Sequence, residues 1–392
     1  MKKLFGIFSA TLIMYNVFPQ DPNAVLIGGD LNTITTAVPF LLIAPDSRSG
    51  AMGDVGVATS PDANSIHWNP AKLAFSSEDM GASISYVPWL RALVPDINLS
   101  YITGYKKLDV NQAVGLEMRY FTLGDITFTD IYGGTLGQYK PHEFALGGSY
   151  ARKLSDQFSL AISGRYIYSN LTGGQQAGEF STKPGQAAAA DIAGFYSKSI
   201  RMGSQDMDLA VGLNLSNIGS KISYTETSTS DFIPINMRLG TALGTDIDDY
   251  NKIAVALDIN KLLVPTPPIY DPVNSDIIAG KDPDVAVVSG IFQSFGDAPG
   301  GFKEEMREIN YSIGSEYWYA NQFAVRAGYF FEHATKGGRK FFTFGSGIKY
   351  SAFTLDFSYL INATNDAGTT NPLANTMRFS MIWNFGKFGK LS

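Results

Sequence analysis

The chain of 392 residues contains no cysteine, which excludes a disulfide framework, a thiolate nucleophile and a cysteine-ligated metal centre. Histidine is scarce, with His67, His142 and His333 the only three. None stands at a spacing from Ser and an acid that would build a hydrolase triad, so a non-enzymatic role without a cofactor is expected. Charged residues make up 17% of the chain, below the roughly 25% of ordinary soluble domains. The net charge of -6 argues against nucleic acid as a partner. Asp271, Asp276, Asp282 and Asp284 are too scattered for a calcium loop with ligands at fixed short spacing. Long apolar runs are also missing. Beyond the first twenty residues nothing approaches the roughly eighteen needed for a spanning helix. If this chain crosses a membrane, it does so as a closed β-barrel, the one other structure that satisfies its own backbone there.

What the chain does have is alternation. In residues 352–362, Phe353, Leu355, Phe357, Tyr359 and Ile361 alternate with Thr354, Asp356, Ser358 and the exception Leu360. Successive strand side chains point to opposite faces, so one face is greasy and the other small or polar. Such a stretch matches the roughly 9–11 tilted residues that cross a bilayer as β-structure. Comparable segments recur, predicting strands near 80–88, 96–106, 111–122, 142–152, 157–169, 187–198, 206–217, 232–244, 250–261, 309–319, 322–332, 339–350, 352–362 and 375–386. The expected fold is an all-β membrane protein, an antiparallel transmembrane barrel of about fourteen strands.

Loop lengths sort by side. Connections after the second, fourth, eighth, tenth and twelfth strands are short, whereas those after the third, fifth, seventh, ninth and thirteenth are long. Outer-membrane barrels keep short turns on the periplasmic side and long loops outside. An even strand number is expected to bring both chain ends to the periplasmic side. Met1-Lys2-Lys3 and the apolar run to Phe18 read as a secretory signal over residues 1–20. The domain reading is then a segment at 21–79, a barrel at 80–386 with a long extracellular loop at 262–308, and a tail at 387–392. The implied location is the outer membrane of a Gram-negative bacterium, in contact with membrane lipid and lipopolysaccharide.

Residues 21–79 do not alternate. A ring of about fourteen strands encloses more space than its own side chains fill, so this segment is expected to plug the lumen. Polar-face positions include Glu117, Arg119, Arg165, Arg238, Asp258, Glu316, Arg326, Asp356 and Arg378. Charges of both signs can pair with one another or with the plug; lumen water could instead solvate them. Either way they must be satisfied.

The loop at 262–308 exceeds the roughly 12–15 residues beyond which loops are usually functional or disordered. It starts stiffly at Val264-Pro265-Thr266-Pro267-Pro268. A helix is expected within 284–295, opened by Pro283 and including Val287, with Val288, Ile291, Phe292 and Phe295 on one apolar face. That face packs over the barrel mouth or engages a partner. A second short polar helix is expected within 300–307. Trp89, Leu90 and Leu93, in the first long-side loop, suit a membrane-interface anchor.

The run Ser49-Gly50-Ala51-Met52-Gly53-Asp54-Val55-Gly56, followed by Asp62-Ala63 and Asn69-Pro70-Ala71-Lys72-Leu73, resembles the plug signature of FadL-like barrels. Met52, Gly53, Asp54, Asn69, Pro70 and Ala71 carry it. The stretches Leu31-Asn32-Thr33-Ile34-Thr35-Thr36 and Ala44-Pro45-Asp46-Ser47-Arg48, with Tyr86-Val87-Pro88-Trp89, more narrowly resemble the PorV family of the Bacteroidetes type IX secretion system. The resemblance implies a barrel that binds exported cargo through the cargo's C-terminal signal domain. It would act beside the giant outer-membrane secretion pore and deliver cargo to a surface attachment complex with a PorU-type sortase. The plug motif by itself equally implies a FadL-like channel for hydrophobic small molecules such as long-chain fatty acids.

Overall fold

The computed structural model describes residues 31–386, apart from 91–93, 95, 130–131, 133, 174–175, 178–179, 204, 226–229 and 364–374. The expected signal peptide, the first residues of the lumen segment, Leu93 and the tail at 387–392 lie outside the described residues. The fourteen barrel strands are β1 (Met80–Pro88), β2 (Ile97–Lys107), β3 (Gln112–Leu123), β4 (His142–Lys153), β5 (Phe158–Asn170), β6 (Gly185–Met202) and β7 (Gln205–Gly219). They continue with β8 (Asn236–Asp246), β9 (Asn251–Leu262), β10 (Asn310–Tyr319), β11 (Phe323–Phe331), β12 (Lys340–Tyr350), β13 (Phe353–Asn362) and β14 (Met377–Phe385). Each pairs antiparallel with its neighbour in sequence, and β1 closes on β14 from Met80↔Phe385 to Tyr86↔Phe379.

The period-2 pattern decides which side faces out. On β13, Phe353 and Leu355 are 49% and 50% exposed while Asp356 and Ser358 are 4% and 0% exposed. The greasy face therefore points away from the lumen on every side, the inverse of a soluble core and the arrangement that hydrocarbon around the barrel rewards. Glu117, Arg119, Arg165, Arg238, Asp258, Glu316, Arg326, Asp356 and Arg378 are all buried on the inward face.

Two strands differ from the sequence reading. The eighth begins at Asn236 rather than 232, because Pro234 has no N–H to give a ladder; Phe232, Ile233 and Ile235 turn in over the barrel mouth instead. The β6–β7 hairpin is longer than expected and carries a bulge. Between Ala190↔Ile218 and Ile192↔Leu215 the register shifts by one, and Asn217 takes a left-handed φ of 61°. The bulge turns Asn217 inward, where its N–H donates to Asp191 Oδ1 at 2.7 Å.

The position of the chain's leading part is a correction. Strand parity does bring Met80 and Phe385 together at the short-turn end. Asn32, however, lies at the opposite end: its N–H donates to Thr335 O, and its side-chain amide donates to Pro267 O and Glu304 Oε1, each at 3.0 Å. Ser76 O, by contrast, accepts from Lys107 Nζ beside the first short turn. Residues 31–76 therefore run from the long-loop end to the short-turn end before β1 begins. Parity constrains only where the strands start and stop.

Candidate functional site

Residues 37–76 fold into four short turns, Pro39–Leu42, Ser47–Gly50, Ser65–Trp68 and Pro70–Phe75, each set by a local signal. Asp46 caps the second, accepting from Ser49 N at 2.9 Å, and also accepts from Trp68 Nε1 at 2.6 Å. Asn69 caps the fourth through Ala71 N at 3.0 Å, and Pro70 supplies its first position. The Asn69 amide reaches both Val57 O and Gly194 O of β6 at 3.0 Å, so one side chain ties two parts of the segment to the wall.

The segment touches the inward face of strands all round the barrel. Met52 and Gly53 press their backbone against β10 and β11. A methyl on Gly314 would stand 2.5 Å from Met52 Cβ, and one on Gly328 would overlap the Met52 carbonyl carbon. Gly53 and Asp54 adopt φ of 70° and 62°, the left-handed turn that keeps Gly53 flat against Tyr329; a Cβ there would lie 2.7 Å from the Tyr329 backbone. Gly53 N donates to Thr343 Oγ1 at 2.7 Å, and Asp258 Oδ2 accepts from Gly56 N and Val57 N at 2.8 and 3.0 Å.

The inward charges collect into groups. Glu316 sits between two guanidiniums: Arg48 donates to it at 3.0 and 2.8 Å, and Arg326 Nε at 2.6 Å. Arg326 also reaches Asp356 at 2.7 Å, and Arg48 reaches Asp62 at 2.9 Å. Across the lumen, Glu117 accepts from Arg165 at 2.6 Å and from Tyr101 at 2.8 Å, while Arg165 also reaches Asp191 at 3.0 Å. Arg119 donates to Leu41 O at 2.8 Å and contacts His67 Nδ1. Arg238 stacks on Trp68 with 4.5 Å between guanidinium carbon and ring centre, and Arg378 approaches Asp54 at 3.4 Å. Pairing among wall and segment is thus the arrangement present. The pairing of Arg48, Asp62 and Asp191 was not expected from the sequence, where Asp46, Arg48 and Asp62 stood only within the quoted motifs and Asp191 was unmarked.

Two spaces remain. One, about 310 Å³, opens at the short-turn end between Ser60, Asp208, Lys252 and Trp318. The other, about 10 Å³, lies near Leu41, His67 and Arg238. Neither is an apolar conduit.

At the long-loop end, Phe40, Leu41, Ile34 and Ile43 join Val87, Leu99, Phe121, Ile167, Phe232 and Leu263 in an apolar cluster. Trp89 and Leu90 pack on this cluster and on Phe330, Phe341 and Leu360. They cover the mouth rather than anchoring in lipid, because inward-facing Leu360 and its neighbours offer an apolar seat there. The long loop is held by polar contacts: Lys261 to Glu305 and Glu308 at 3.2 and 2.6 Å, and Lys336 to Glu304 and Glu308 at 2.6 and 3.0 Å. Burial opposes charge on Glu304, but Lys336, Gly300 N–H and Asn32 hold its carboxyl below the usual range. Burial, with Glu305 and Glu308 nearby, holds Asp297 above it, although Thr266 N–H acts in the opposite sense.

The loop helix spans Val287–Gln293, shorter than expected. Pro283 lies before it, not in its first turn, since Ala286 is still extended at ψ 151°. The expected single apolar face is divided. Val287 and Ile291 pack toward the mouth cluster, where Gly290 meets Phe232. Val288, Phe292 and Phe295 are 64%, 75% and 52% exposed. The second short helix expected within 300–307 is present at Phe302–Glu305 and runs into a tighter turn at Met306–Glu308. Among the described residues no group of His and carboxylates suits a metal.

A closed antiparallel barrel with a lipid-compatible outer wall and a charge-paired interior defines an outer-membrane β-barrel. The chain belongs to the PorV family: the model for type IX secretion system protein PorV matches residues 28–269. It is therefore an outer-membrane barrel of the type IX secretion system, within a class of transport proteins. No curated protein matches the chain. Among solved structures it is similar to the toluene transporter TbuX of Ralstonia pickettii at 11% identity, covering 88% of this chain and 98% of that one, TM-score 0.46. The toluene transporter TodX of Pseudomonas putida matches at 11%, covering 85% and 95%, TM-score 0.46. A FadL homologue of Pseudomonas aeruginosa matches at 10%, covering 91% and 100%, TM-score 0.43.

Proposed function

We propose that the barrel is a carrier for exported proteins, with residues 31–76 as a standing plug and the 263–309 loop as the binding surface. The observation that carries this reading is the exposed triad Val288, Phe292 and Phe295, large apolar side chains on a helix and the turn that ends it, the helix's other side being seated on the mouth. Exposed contiguous apolar surface on a held support suits protein contact. The ligand is the C-terminal signal domain of secreted cargo, met beside the giant secretion pore. The cargo is then passed to the surface complex containing a PorU-type sortase. Changing all three residues to Ser should abolish capture of a cargo C-terminal domain by the purified barrel while leaving its heat-modifiable electrophoretic shift intact. Undiminished capture by the folded variant would overturn the reading.

A second reading, a channel for hydrophobic small molecules, is favoured by one feature. The cluster around Phe40 and Leu41 would become an apolar chamber if the segment withdrew. Uptake of labelled long-chain fatty acid by cells carrying the barrel, lost on deleting the chain, supports the channel; cargo capture without uptake supports the carrier.

A further inference from the structure

Above the lipid-facing ends of β10, β11 and β12 lies a group of cations that the carrier reading does not use. Lys340 opens β12, and its ammonium stands 5.2 Å from the centre of the Phe331 ring. Arg307 sits in the Met306–Glu308 turn just before β10. Both are half-buried, and neither side chain makes an ion pair or hydrogen bond with the described residues. Their neighbours are already spoken for: Lys336 binds Glu304 and Glu308, and Arg339 holds Glu332 at 2.7 Å. His333 lies among them; burial, then Arg307, Lys340 and Lys336, holds its pKa below the usual range. Among the described residues no carboxylate pairs with Arg307 or Lys340, those nearby being held by Lys336 and Arg339.

Directly beneath is an aromatic shelf. Tyr311 pairs in register with Phe331, and Tyr329 with Phe342. Their ring centres lie 6.4 and 4.8 Å apart, and Tyr311 and Phe342 are exposed on the outer wall. Unpaired cations over outward aromatics match an anionic headgroup whose acyl chains lie along the wall. A free phosphate would use the cations but not the shelf.

We propose that Arg307, in the turn before β10, and Lys340, over the Phe331 ring at the start of β12, bind the phosphorylated headgroup of an outer-leaflet glycolipid. The proposal rests on the reading that the long loops face the outside. The test uses the full-length barrel in phosphatidylcholine nanodiscs supplied with phosphorylated or dephosphorylated lipid A, with retained lipid counted by native mass spectrometry. Arg307→Ala with Lys340→Ala should weaken retention of the phosphorylated lipid about thirty-fold, roughly fivefold for each basic residue near an anionic headgroup. Arg307→Lys with Lys340→Arg should restore most of it, and the dephosphorylated lipid should bind weakly throughout. The proposal fails if the folded Ala variant retains lipid unchanged, if both lipids bind alike, or if Lys140→Ala with Lys183→Ala causes the same loss. Displacement of the lipid by millimolar inorganic phosphate would also overturn it in favour of a simple anion site. Orientation is read separately: Val273→Cys, in a chain without other cysteines, should react with impermeant maleimide on intact cells. Its protection would sink the orientation reading whatever the nanodiscs show.

Discussion

Two regions interrupt the barrel's regularity, and they are built in opposite ways. The lumen segment is attached by what it gives up. Its backbone lies against glycines of the wall, its Arg48 and Asp54 pair with charges of β10 and β14, and Trp68 is 1% exposed. The 263–309 loop is attached on one side only, through Lys261, Lys336 and the seat of Gly290 on Phe232, and leaves Val288 and Phe292 to the surroundings. Burial against the wall on every side marks a part that holds the structure together. Deliberate incompleteness on a firm footing marks a part available to something else.

Substitutions should separate the two. Gly328→Val forces a side chain into the Met52 backbone, a clash with main chain that no rotamer relieves. A loss on the order of 4–5 kcal/mol or more is expected, seen as failure to form the heat-modifiable barrel species. Glu316→Ala removes the carboxylate that Arg48 and Arg326 share in a buried site, leaving Asp62 and Asp356 as their remaining partners; removing one partner of such a group costs about 3–5 kcal/mol. Limited proteolysis should then cut within residues 46–62, which the parent protects. A parent-like digestion pattern would mean that the charges do not anchor the segment.

The loop should answer differently. Val288→Ser, Phe292→Ser and Phe295→Ser together should shift thermal stability little, since exposed sites usually stay within about 0.5 kcal/mol each, yet remove cargo capture. A large drop in stability would show that the triad is structural and erase the contrast. The smallest effect concerns pH. Asp297 holds its proton to higher pH in the folded chain than when unfolded. Stability from that group is therefore present at low pH and lost as pH rises from the ordinary aspartate range through the raised value. Asp297→Asn keeps an acceptor for Thr266 N–H and removes the charge. Hydrogen exchange at Thr266 should be slower than in the parent at neutral pH, with the difference vanishing near pH 4. Equal exchange at both pH values would count against burial of the charge.

Much of the wall was legible because alternation is a local property. Each of the fourteen strands overlaps a segment with the period-2 pattern, and Leu360, the one apolar residue on the polar face of β13, joins Phe330 and Phe341 in meeting Trp89 and Leu90 inside the mouth. The Asn69-Pro70-Ala71 turn is local as well, a cap followed by proline, although the sequence reading marked those residues only as a motif. The divided helix at Val287–Gln293 was not: an apolar face can be read from spacing, but which half of it is covered depends on where Phe232 arrives from another loop.

By itself, then, the order of residues determined that this chain is a lipid-facing barrel, how many strands it has and which face of each looks inward, because each of those depends on neighbours two positions apart. Only the closed tertiary structure decided that residues 31–76 enter from the long-loop end. It also decided that Arg48 meets Glu316 across 268 positions of sequence, and that Arg307 and Lys340 share one corner of the rim. Those meetings follow from ring closure and from the descent of the segment through the lumen, and no repeat in the chain records them.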